Sequence, residues 1–329
     1  MAIVGIESLV YGVQNVETSR RYFEDFGLRL VSDDGAAAVF RLPEGSSVIV
    51  RHRGDAALPT SDMVGDGVRE VIWGVDRADS LETLVAGLSG DREVRRDADG
   101  TARFVTDFGV AMGLRRFEKK PVVSAPDPLN APGRVGRLNQ HRKWRLRAFP
   151  KAIAHVVFAV PDYDAGYAFM RDRLNFRLSD SQRGFGKYLR ADGAYNHHNL
   201  LLLNASAPFP GMDGMLRFHH ANFAVEDIDE IMVGANHMVR QGWAPSHLGL
   251  GRHRVDSALF YYLPCPAGGE AEYGADADYV DDSWVPRDWV EPLFAYAHFV
   301  HNLPPFLIKP PAWNVTYLTG IAPSTEDGH

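Results

Sequence analysis

The sequence predicts an α+β fold made of four strand–helix–strands modules, two in each half of the 329-residue chain. The first observation is the phrase His-x-x-Phe-Ala-Val, which occurs at residues 155–160 and again at 220–225. The second is that residues 6–13 parallel the first phrase and residues 70–75 parallel the second, without the histidines. A phrase that recurs at matching places in two halves indicates an internal repeat.

The elements of each module follow from periodicity. Residues 19–30 fit an amphipathic helix followed by an apolar strand, and residues 167–178 repeat that pattern in the second half. Short apolar runs predict further strands, at residues 37–40, 48–50, 199–203 and 258–262.

The stretch between the halves lacks periodicity. Residues 117–148 contain several prolines and are rich in Lys and Arg, which is typical of a solvated linker; a basic clamp for an acidic partner is the alternative. We therefore predict an N-terminal domain at 1–116, this linker at 117–148, a C-terminal domain at 149–290 and a tail at 291–329 that could cover a site.

Bulk composition excludes several classes of protein. A formal net charge of −7 argues against nucleic-acid binding, which needs a basic surface. The single cysteine, Cys265, allows no intrachain disulfide and suits a reducing compartment. No signal peptide and no apolar stretch of about 18 residues are found, so no membrane association is expected. These observations predict a cytoplasmic protein.

Two histidines and a carboxylate form a candidate metal site. His155 and His220 occupy the same position of the repeated phrase, and Glu272 lies on a later strand of the second half. Two histidines and one carboxylate form the facial triad that binds non-haem Fe(II) and leaves coordination positions open. The equivalent positions of the first half are Ser8, Glu70 and Gly113, which could not hold iron as a set.

Two of these candidate ligands, His220 and Glu272, have a residue of the same type close by in the sequence that could bind the metal instead. Strand alternation allows only one of His219 and His220 to face inward, and alignment with the phrase at 155–160 selects His220. Glu270 and Glu272 would share a face, and we prefer Glu272 because it lies deeper in the strand.

Taken together these motifs resemble the type I extradiol ring-cleaving dioxygenases of the vicinal oxygen chelate superfamily. The resemblance covers nearly the whole chain, with a metal-free first half and a metal-bearing second half. Its distinctive parts are Gly251-Arg252-His253 and a tyrosine, Tyr262, ten residues before Glu272. The chain has Pro-Cys-Pro-Ala-Gly-Gly at 264–269 where the family often has an Asp-Pro-x-Gly turn.

The resemblance implies a curved mixed sheet around a cavity in each domain and an Fe(II) ion, with Mn(II) as the alternative. It implies O2 and a catechol as substrates, ring opening next to the diol, aromatic-compound degradation, and a homo-oligomer. It also assigns roles to other residues: His198 as acid–base group, Tyr262 and His253 as hydrogen-bond donors to substrate, and Asp256 and Arg252 as substrate-pocket or supporting residues.

Three questions stay open at this stage. A glyoxalase-like isomerase and a metal-free ligand-binding protein are the alternative functions on this scaffold. The pair His197 and His198 would equally suit a surface turn. Arg287, in the acidic aromatic stretch after Glu272, would favour an acid-substituted catechol if it met a substrate carboxylate.

Overall fold

The structure, a computed structural model, describes residues 2–208, 211–310 and 315–318. An eight-stranded sheet contains β1 Ile3–Val13, β2 Arg29–Asp33, β3 Ala37–Arg41, β4 Ser47–His52, β5 Gly67–Val75, β6 Arg95–Arg96, β7 Ala102–Val105 and β8 Ala111–Arg116. An eleven-stranded sheet contains β9 Ala152–Val160, β10 Arg177–Gln182, β11 Gly186–Arg190, β12 Leu200–Asn204, β13 Arg217–Ala224, β14 Gly251–Arg252, β15 Leu259–Pro264, β16 Glu270–Ala275, β17 Arg287–Trp289, β18 Phe299–Val300 and β19 Val315–Tyr317. The helices are α1 Val16–Phe26, α2 Ala78–Ser89, α3 Tyr163–Leu174, α4 Ile228–Arg240 and α5 Pro292–Tyr296, with a 3₁₀ turn at Pro305–Leu307.

Strand pairing confirms the α+β class and four equivalent modules. In each module the first strand pairs in parallel with the last, as β1 with β4, β5 with β8, β9 with β12 and β13 with β16. The two modules of a half join through one antiparallel pair, β1 with β5 or β9 with β13. The predicted duplication is therefore present in the topology as well as in the sequence.

The first helices of the two halves begin and end by the same local chemistry. Asn15 caps α1 by accepting the Thr18 N–H, and Asp162 caps α3 by accepting two backbone N–H groups. Gly27 ends α1 with φ of 108°, and Asn175 ends α3 with φ of 59°. Glycine and asparagine are the residues that tolerate this left-handed conformation. The helix ends place β2 and β10 equivalently.

The halves share one hydrophobic core. The rings of Phe26 and Tyr273 stack with centroids 4.1 Å apart, and the Tyr273 hydroxyl donates to the Phe26 carbonyl at 2.7 Å. Trp73 packs edge-on against Phe176 at 4.9 Å. Since Tyr273 directly follows Glu272 in β16, the first half buttresses the strand that carries a predicted ligand.

The linker and the tail connect differently to the second half. Residues 117–151 form no strand, and the Lys143 and Arg145 side chains bind Glu226 next to α4. In the tail, β17 and β19 extend the sheet beyond β10, while β18 pairs with β14 at the opposite edge. Parts of the predicted tail, residues 311–314 and 319–329, lie outside the described residues. No helix in the described part is long and apolar enough to cross a membrane.

Candidate metal centre

The side chains of His155, His220 and Glu272 converge at one point of the second sheet. The two Nε2 atoms lie 3.2 Å apart, and each lies 3.3 Å from Glu272 Oε2. They come from three adjacent strands, β9, β13 and β16, whose order in the sheet is β16-β13-β9. All three side chains are nearly inaccessible to solvent. The structure thus brings together the three predicted ligands.

The chemistry of this set fits a divalent metal ion. Glu272 is fully buried, yet neither of its oxygens accepts a hydrogen bond within the described structure. A buried carboxylate without partners is costly, and coordination to a cation would satisfy it. A triangle with sides of 3.2–3.3 Å has room for one ion at about 2.1 Å from every donor atom, the usual distance to imidazole and carboxylate.

The ionisation states also suit metal binding. Burial lowers the pKa of His155, which favours the neutral imidazole. Burial opposes ionisation of Glu272, but the imidazoles of His155 and His220 facing it outweigh that effect and lower its pKa. Neutral imidazole and ionised carboxylate are the forms that coordinate metals.

Strand register shows what replaces the site in the first half. His220 is paired with Val157 and Glu270, whereas Glu70 is paired with Val10 and Ala111 at the equivalent positions. Counting along these strands makes Ser8 equivalent to His155 and Gly113 equivalent to Glu272. Arg103 forms an ion pair with Glu70 there, so an internal ion pair occupies the place of a metal site.

A β-bulge changes the predicted alternation at His219. The pairing of β13 with β9 shifts between Phe218 and His220, which makes His219 an extra residue. Both histidines consequently line the same cavity, contrary to the expectation that only one faces inward. His219 Nδ1 lies 2.7 Å from His220 Nδ1. His219 is therefore placed to accept the Nδ1–H of His220, an interaction that orients a metal-binding imidazole.

We call His155, His220 and Glu272 the metal set. It lies beside a largely apolar cavity of about 290 Å³, which His155 and His220 line. The described residues lining it include no Lys or Arg. Its polar wall carries His198, His253, Tyr262, Asp256 and, near the exposed His247, Glu270. The apolar wall consists of Phe185, Tyr188, Leu201, Leu203, Met212, Leu248, Val255 and Phe306.

His198 is a buried wall residue rather than part of a surface turn. Its ring stacks on His155 with centroids 4.2 Å apart, and its Nδ1 lies 3.8 Å from Asp256 Oδ2. Burial and the neighbouring imidazole of His155 hold the pKa of His198 well below its usual range. The lowered pKa favours the neutral imidazole of His198, in which one ring nitrogen has a free lone pair.

Behind His198 lies a buried chain of hydrogen-bonding groups that the sequence analysis missed. His197 Nδ1 lies 3.2 Å from His198 Nδ1, and His197 Nε2 lies 3.2 Å from Asp180 Oδ2. Asp180 also accepts bonds from the Arg287 guanidinium and the Trp289 indole. The available signal was His197 beside His198, but nothing in the local pattern pointed to Asp180.

The side chains of Tyr262 and His253 are hydrogen-bonded to each other beside the metal set. Tyr262 is the strand partner of Glu272, and its hydroxyl lies 3.1 Å from His253 Nε2. His253 Nδ1 faces the Tyr296 carbonyl, which can only accept, so Nδ1 carries a proton. In the neutral imidazole Nε2 is then the acceptor of the Tyr262 proton. Burial raises the pKa of Tyr262 well above its usual value, which keeps that proton in place.

Two arginines, Arg252, expected in the substrate pocket or in support of it, and Arg287, considered as a contact for a substrate carboxylate, lie outside the cavity wall. Arg252 binds the Ser257 carbonyl and the Asp276 carboxylate, at 2.9 Å for the latter, and is not among the residues lining the cavity. Arg287 is held by the fully buried Asp180 at 2.5 Å and also binds the Val255 carbonyl. Neither guanidinium reaches the cavity, because local loop and strand partners already engage it.

Arg287→Ala is expected to destabilise the fold by about 3 kcal/mol, because it leaves a buried carboxylate without its cationic partner. It should not alter the preference between charged and neutral ligands. Urea unfolding measures the first effect. Arg183→Ala is the control, since its pair with Asp288 is exposed on the arginine side and is worth less than about 1 kcal/mol. If Arg287→Ala selectively lost activity towards acid-substituted catechols, that result would contradict the placement of Arg287 outside the cavity.

Comparison with known proteins identifies several relatives that are named as dioxygenases or as a metapyrocatechase. Residues 152–261 match the model of the Glyoxalase/Bleomycin resistance protein/Dioxygenase superfamily. Biphenyl-2,3-diol 1,2-dioxygenase of Paraburkholderia xenovorans (strain LB400) is 33% identical over 87% of this chain and 92% of its own. Metapyrocatechase 2 of Cupriavidus necator is 34% identical, and an iron-dependent extradiol dioxygenase of Rhodococcus jostii (strain RHA1) is 32% identical. Those two matches cover 44% and 42% of this chain and only 42% and 48% of the relatives' own lengths.

Solved structures share the fold over almost the whole chain. A Mn(II)-bound glyoxalase from Novosphingobium aromaticivorans superposes with a TM-score of 0.69 at 20% identity and covers 90% of both chains. BphC, a halotolerant catechol dioxygenase, gives 0.69 at 18% identity and covers 92% of this chain and 94% of its own. The fold is thus common to several enzymes, whereas 33% identity over nearly a full-length dioxygenase is specific. The chain therefore belongs to the type I extradiol dioxygenases of the Glyoxalase/Bleomycin resistance protein/Dioxygenase superfamily.

Proposed function

We propose that this protein is an Fe(II)-dependent extradiol dioxygenase that inserts both atoms of O2 into a catechol and opens the ring next to the diol. The observation that carries the proposal is the convergence of His155, His220 and the buried Glu272, whose oxygens accept no hydrogen bond within the described residues, beside an apolar cavity. Three ligands on one face suit a reaction in which two substrates must be held together.

A metal ion held by these three residues would supply a Lewis acid that favours the ionised catechol and places it beside O2. The donor set of two imidazoles and one carboxylate suits Fe(II), and Mn(II) is the alternative. The iron-dependent relative supports the first ion, and the manganese-bound structural neighbour supports the second.

His198 is the base that removes the second phenolic proton and later returns it. Its tautomer follows from the chain of groups behind it. Burial opposes ionisation of Asp180, but His197 and Arg287 lower its pKa, so the carboxylate accepts from His197 Nε2–H. The lone pair on His197 Nδ1 can then accept His198 Nδ1–H. That leaves Nε2 of His198 as the proton acceptor, with His197 and Asp180 as positioning residues.

Tyr262 and His253 contact the substrate oxygens as a pair. While His253 is neutral, the Tyr262 proton is committed to it, and the phenol oxygen offers only lone pairs to a bound substrate. A Tyr262 hydroxyl that turned from His253 Nε2 to the substrate would donate to developing negative charge on substrate oxygen. The pair therefore works through one shared proton.

The cavity suits a catechol with an uncharged, apolar substituent. A cavity of about 150 Å³ accepts benzene, so about 290 Å³ leaves room for a ring with a sizeable substituent. An anionic substituent would find no Lys or Arg among the described lining residues and would face Glu270. The substrate class follows from this wall rather than from the metal set.

The test is anaerobic loading with Fe(II) or Mn(II), followed by O2 uptake and absorbance across catechols with neutral and acidic substituents. We expect stoichiometric O2 uptake, a yellow pH-sensitive product and higher kcat/KM for neutral apolar catechols. Bound metal without O2 uptake would favour a glyoxalase-like isomerase, the second candidate because the Mn(II)-bound glyoxalase shares this fold. Failure to bind any metal would favour a ligand-binding protein.

A further inference from the structure

Three buried side chains next to the metal set form a second cluster of metal-binding groups: His197, His198 and Asp256. His198 Nδ1 lies 3.2 Å from His197 Nδ1 and 3.8 Å from Asp256 Oδ2. One donor atom of each residue lies within 4.8 Å of the other two. Two ligands held at about 2.1 Å by a tetrahedral ion are about 3.4 Å apart. The spacing of these atoms therefore suits a single ion.

The donor atoms of this cluster are oriented by groups outside it. The Asp180 carboxylate accepts the Nε2–H of His197 at 3.2 Å, which leaves the Nδ1 lone pair directed at the cluster. A carboxylate behind an imidazole is the arrangement that orients histidines at metal sites. Asp256 Oδ1 accepts the Ala258 N–H at 3.2 Å, and Oδ2 is the oxygen that faces His198.

The backbone holds the two ends of the cluster together. His197 N–H donates to the Asp278 carbonyl at 3.1 Å, and Asp278 N–H donates to the Asp256 carbonyl at 2.7 Å. One residue thus ties together the two stretches that carry His197 and Asp256. Ligands that are already positioned need little rearrangement when an ion binds.

A second cavity leads to this cluster. It measures about 80 Å³ and is lined by all three side chains of the cluster and by Asp276. Because one water occupies about 10–15 Å³ by this measure, the cavity has room for several waters or an ion. Tyr279, which is 79% exposed, also lines it, so the cavity reaches the protein surface. His198 and Asp256 line the larger cavity as well and therefore stand between the two.

The donor set selects the kind of ion. Two imidazole nitrogens and one carboxylate oxygen, with a fourth position open to the second cavity, are the ligands of tetrahedral Zn²⁺. The affinity of nitrogen and oxygen sites for Zn²⁺ exceeds that for Mn²⁺ and Fe²⁺. Mg²⁺ and Ca²⁺ prefer sites made of oxygen ligands alone. Zinc is therefore the ion that the cluster suits.

We propose that His197, His198 and Asp256 form a second metal site, which binds Zn²⁺ from the second cavity and inhibits the enzyme. The inhibition rests on the proposed function, in which His198 Nε2 removes the phenolic proton. An ion at His198 Nδ1 requires the lone pair there, so the single proton of the neutral ring resides on Nε2 instead. The ring keeps its charge, but Nε2 has no lone pair left with which to accept the substrate proton.

Equilibrium dialysis of the iron-loaded, full-length protein against Zn²⁺ tests the site, with zinc and iron both counted. The wild type is expected to take up one zinc ion per chain and to keep its iron. Asp256→Asn and His197→Phe should each weaken zinc binding by about 100-fold or more, because changing a group that merely supports a ligand already costs about 10–100-fold. Asp276→Asn is the matched control. Asp276 lines the same cavity, but its side chain is 68% exposed and pairs with Arg252, so this variant should keep the zinc.

Nitrogen NMR of a His220→Ala variant keeps the test valid if the other variants fail to fold. This variant lacks one imidazole of the metal set, while all three residues of the second site are unchanged. The metal set presents Nε2 of its histidines, whereas the second site presents Nδ1 of His197 and His198. Two rings coordinated to zinc through Nδ1 are therefore expected. Coordination through Nε2 alone would overturn the proposal.

Steady-state kinetics test the inhibition. At constant iron content, zinc should lower kcat by about 100-fold or more, the contribution of the acid–base group. The KM for a neutral catechol should stay nearly constant, because the ion enters through the other cavity. Bound zinc without an effect on kcat would overturn the inhibition. No bound zinc, zinc that enters only by displacing iron, or zinc retained by both Asp256→Asn and His197→Phe would overturn the site itself. A zinc-free enzyme that consumes no O2 would contradict the proposed function alone, since dialysis measures the site by itself.

Discussion

Glu272→Gln is expected to weaken metal binding by well over 100-fold and to abolish O2 uptake, whereas Glu270→Gln should retain the metal. Altering groups that merely support a ligand costs about 10–100-fold in metal affinity, and loss of a charged ligand costs more. Both glutamates lie on the same strand and the same face, but only Glu272 lies 3.3 Å from both imidazoles. Comparing the two variants therefore distinguishes a carboxylate that coordinates the metal from one that only adds negative charge to the cavity.

Metal content after gel filtration and O2 uptake with a neutral catechol measure this prediction. Stability of the apoprotein provides an independent readout. The imidazoles of His155 and His220 outweigh burial and lower the pKa of Glu272. Ionised Glu272 therefore contributes stability near neutral pH, and Glu272→Gln should lower the unfolding free energy of the apoprotein. Full metal occupancy in Glu272→Gln, or its loss in Glu270→Gln, would show that the wrong carboxylate has been assigned.

The second large effect is expected from His198→Phe. Phenylalanine keeps a ring that can stack on His155, as the imidazole does at 4.2 Å, so the metal set should be preserved. Loss of the acid–base nitrogen should lower kcat by about 10²–10⁴. Single-turnover kinetics with a bound catechol should show normal binding followed by slow ring opening.

His247→Phe is the matched control for this variant. His247 also lines the cavity, but its side chain is 66% exposed and its only charged neighbour in the described structure is Glu270 at 3.6 Å. Its turnover should stay within a few-fold of the wild type. Near-normal turnover of His198→Phe with full metal content would remove His198 from the mechanism and leave its role as packing against His155.

The sequence by itself determined the modules and the three residues that converge. A duplicated module places matching phrases at matching positions of its sheet. The equivalence of residues 155 and 220 therefore predicted that their two strands lie close together, and β9 and β13 are indeed paired. Period-2 alternation then put Glu272 on a face that could reach them. These inferences hold because strand periodicity and internal repeats are local properties of the chain.

Only the tertiary structure decided the remaining features. The bulge that turns both His219 and His220 to the cavity depends on how β13 pairs with β9, some 60 residues earlier. The ion pair between Arg287 and Asp180 joins side chains that are 107 residues apart in the sequence. The burial of His198 depends on the packing of the same elements. No pattern in a short window encodes such pairings, because their energies arise from desolvation and partner geometry after the chain has folded. The sequence thus determined which residues can form the site, and packing decided which groups remain available to the substrate.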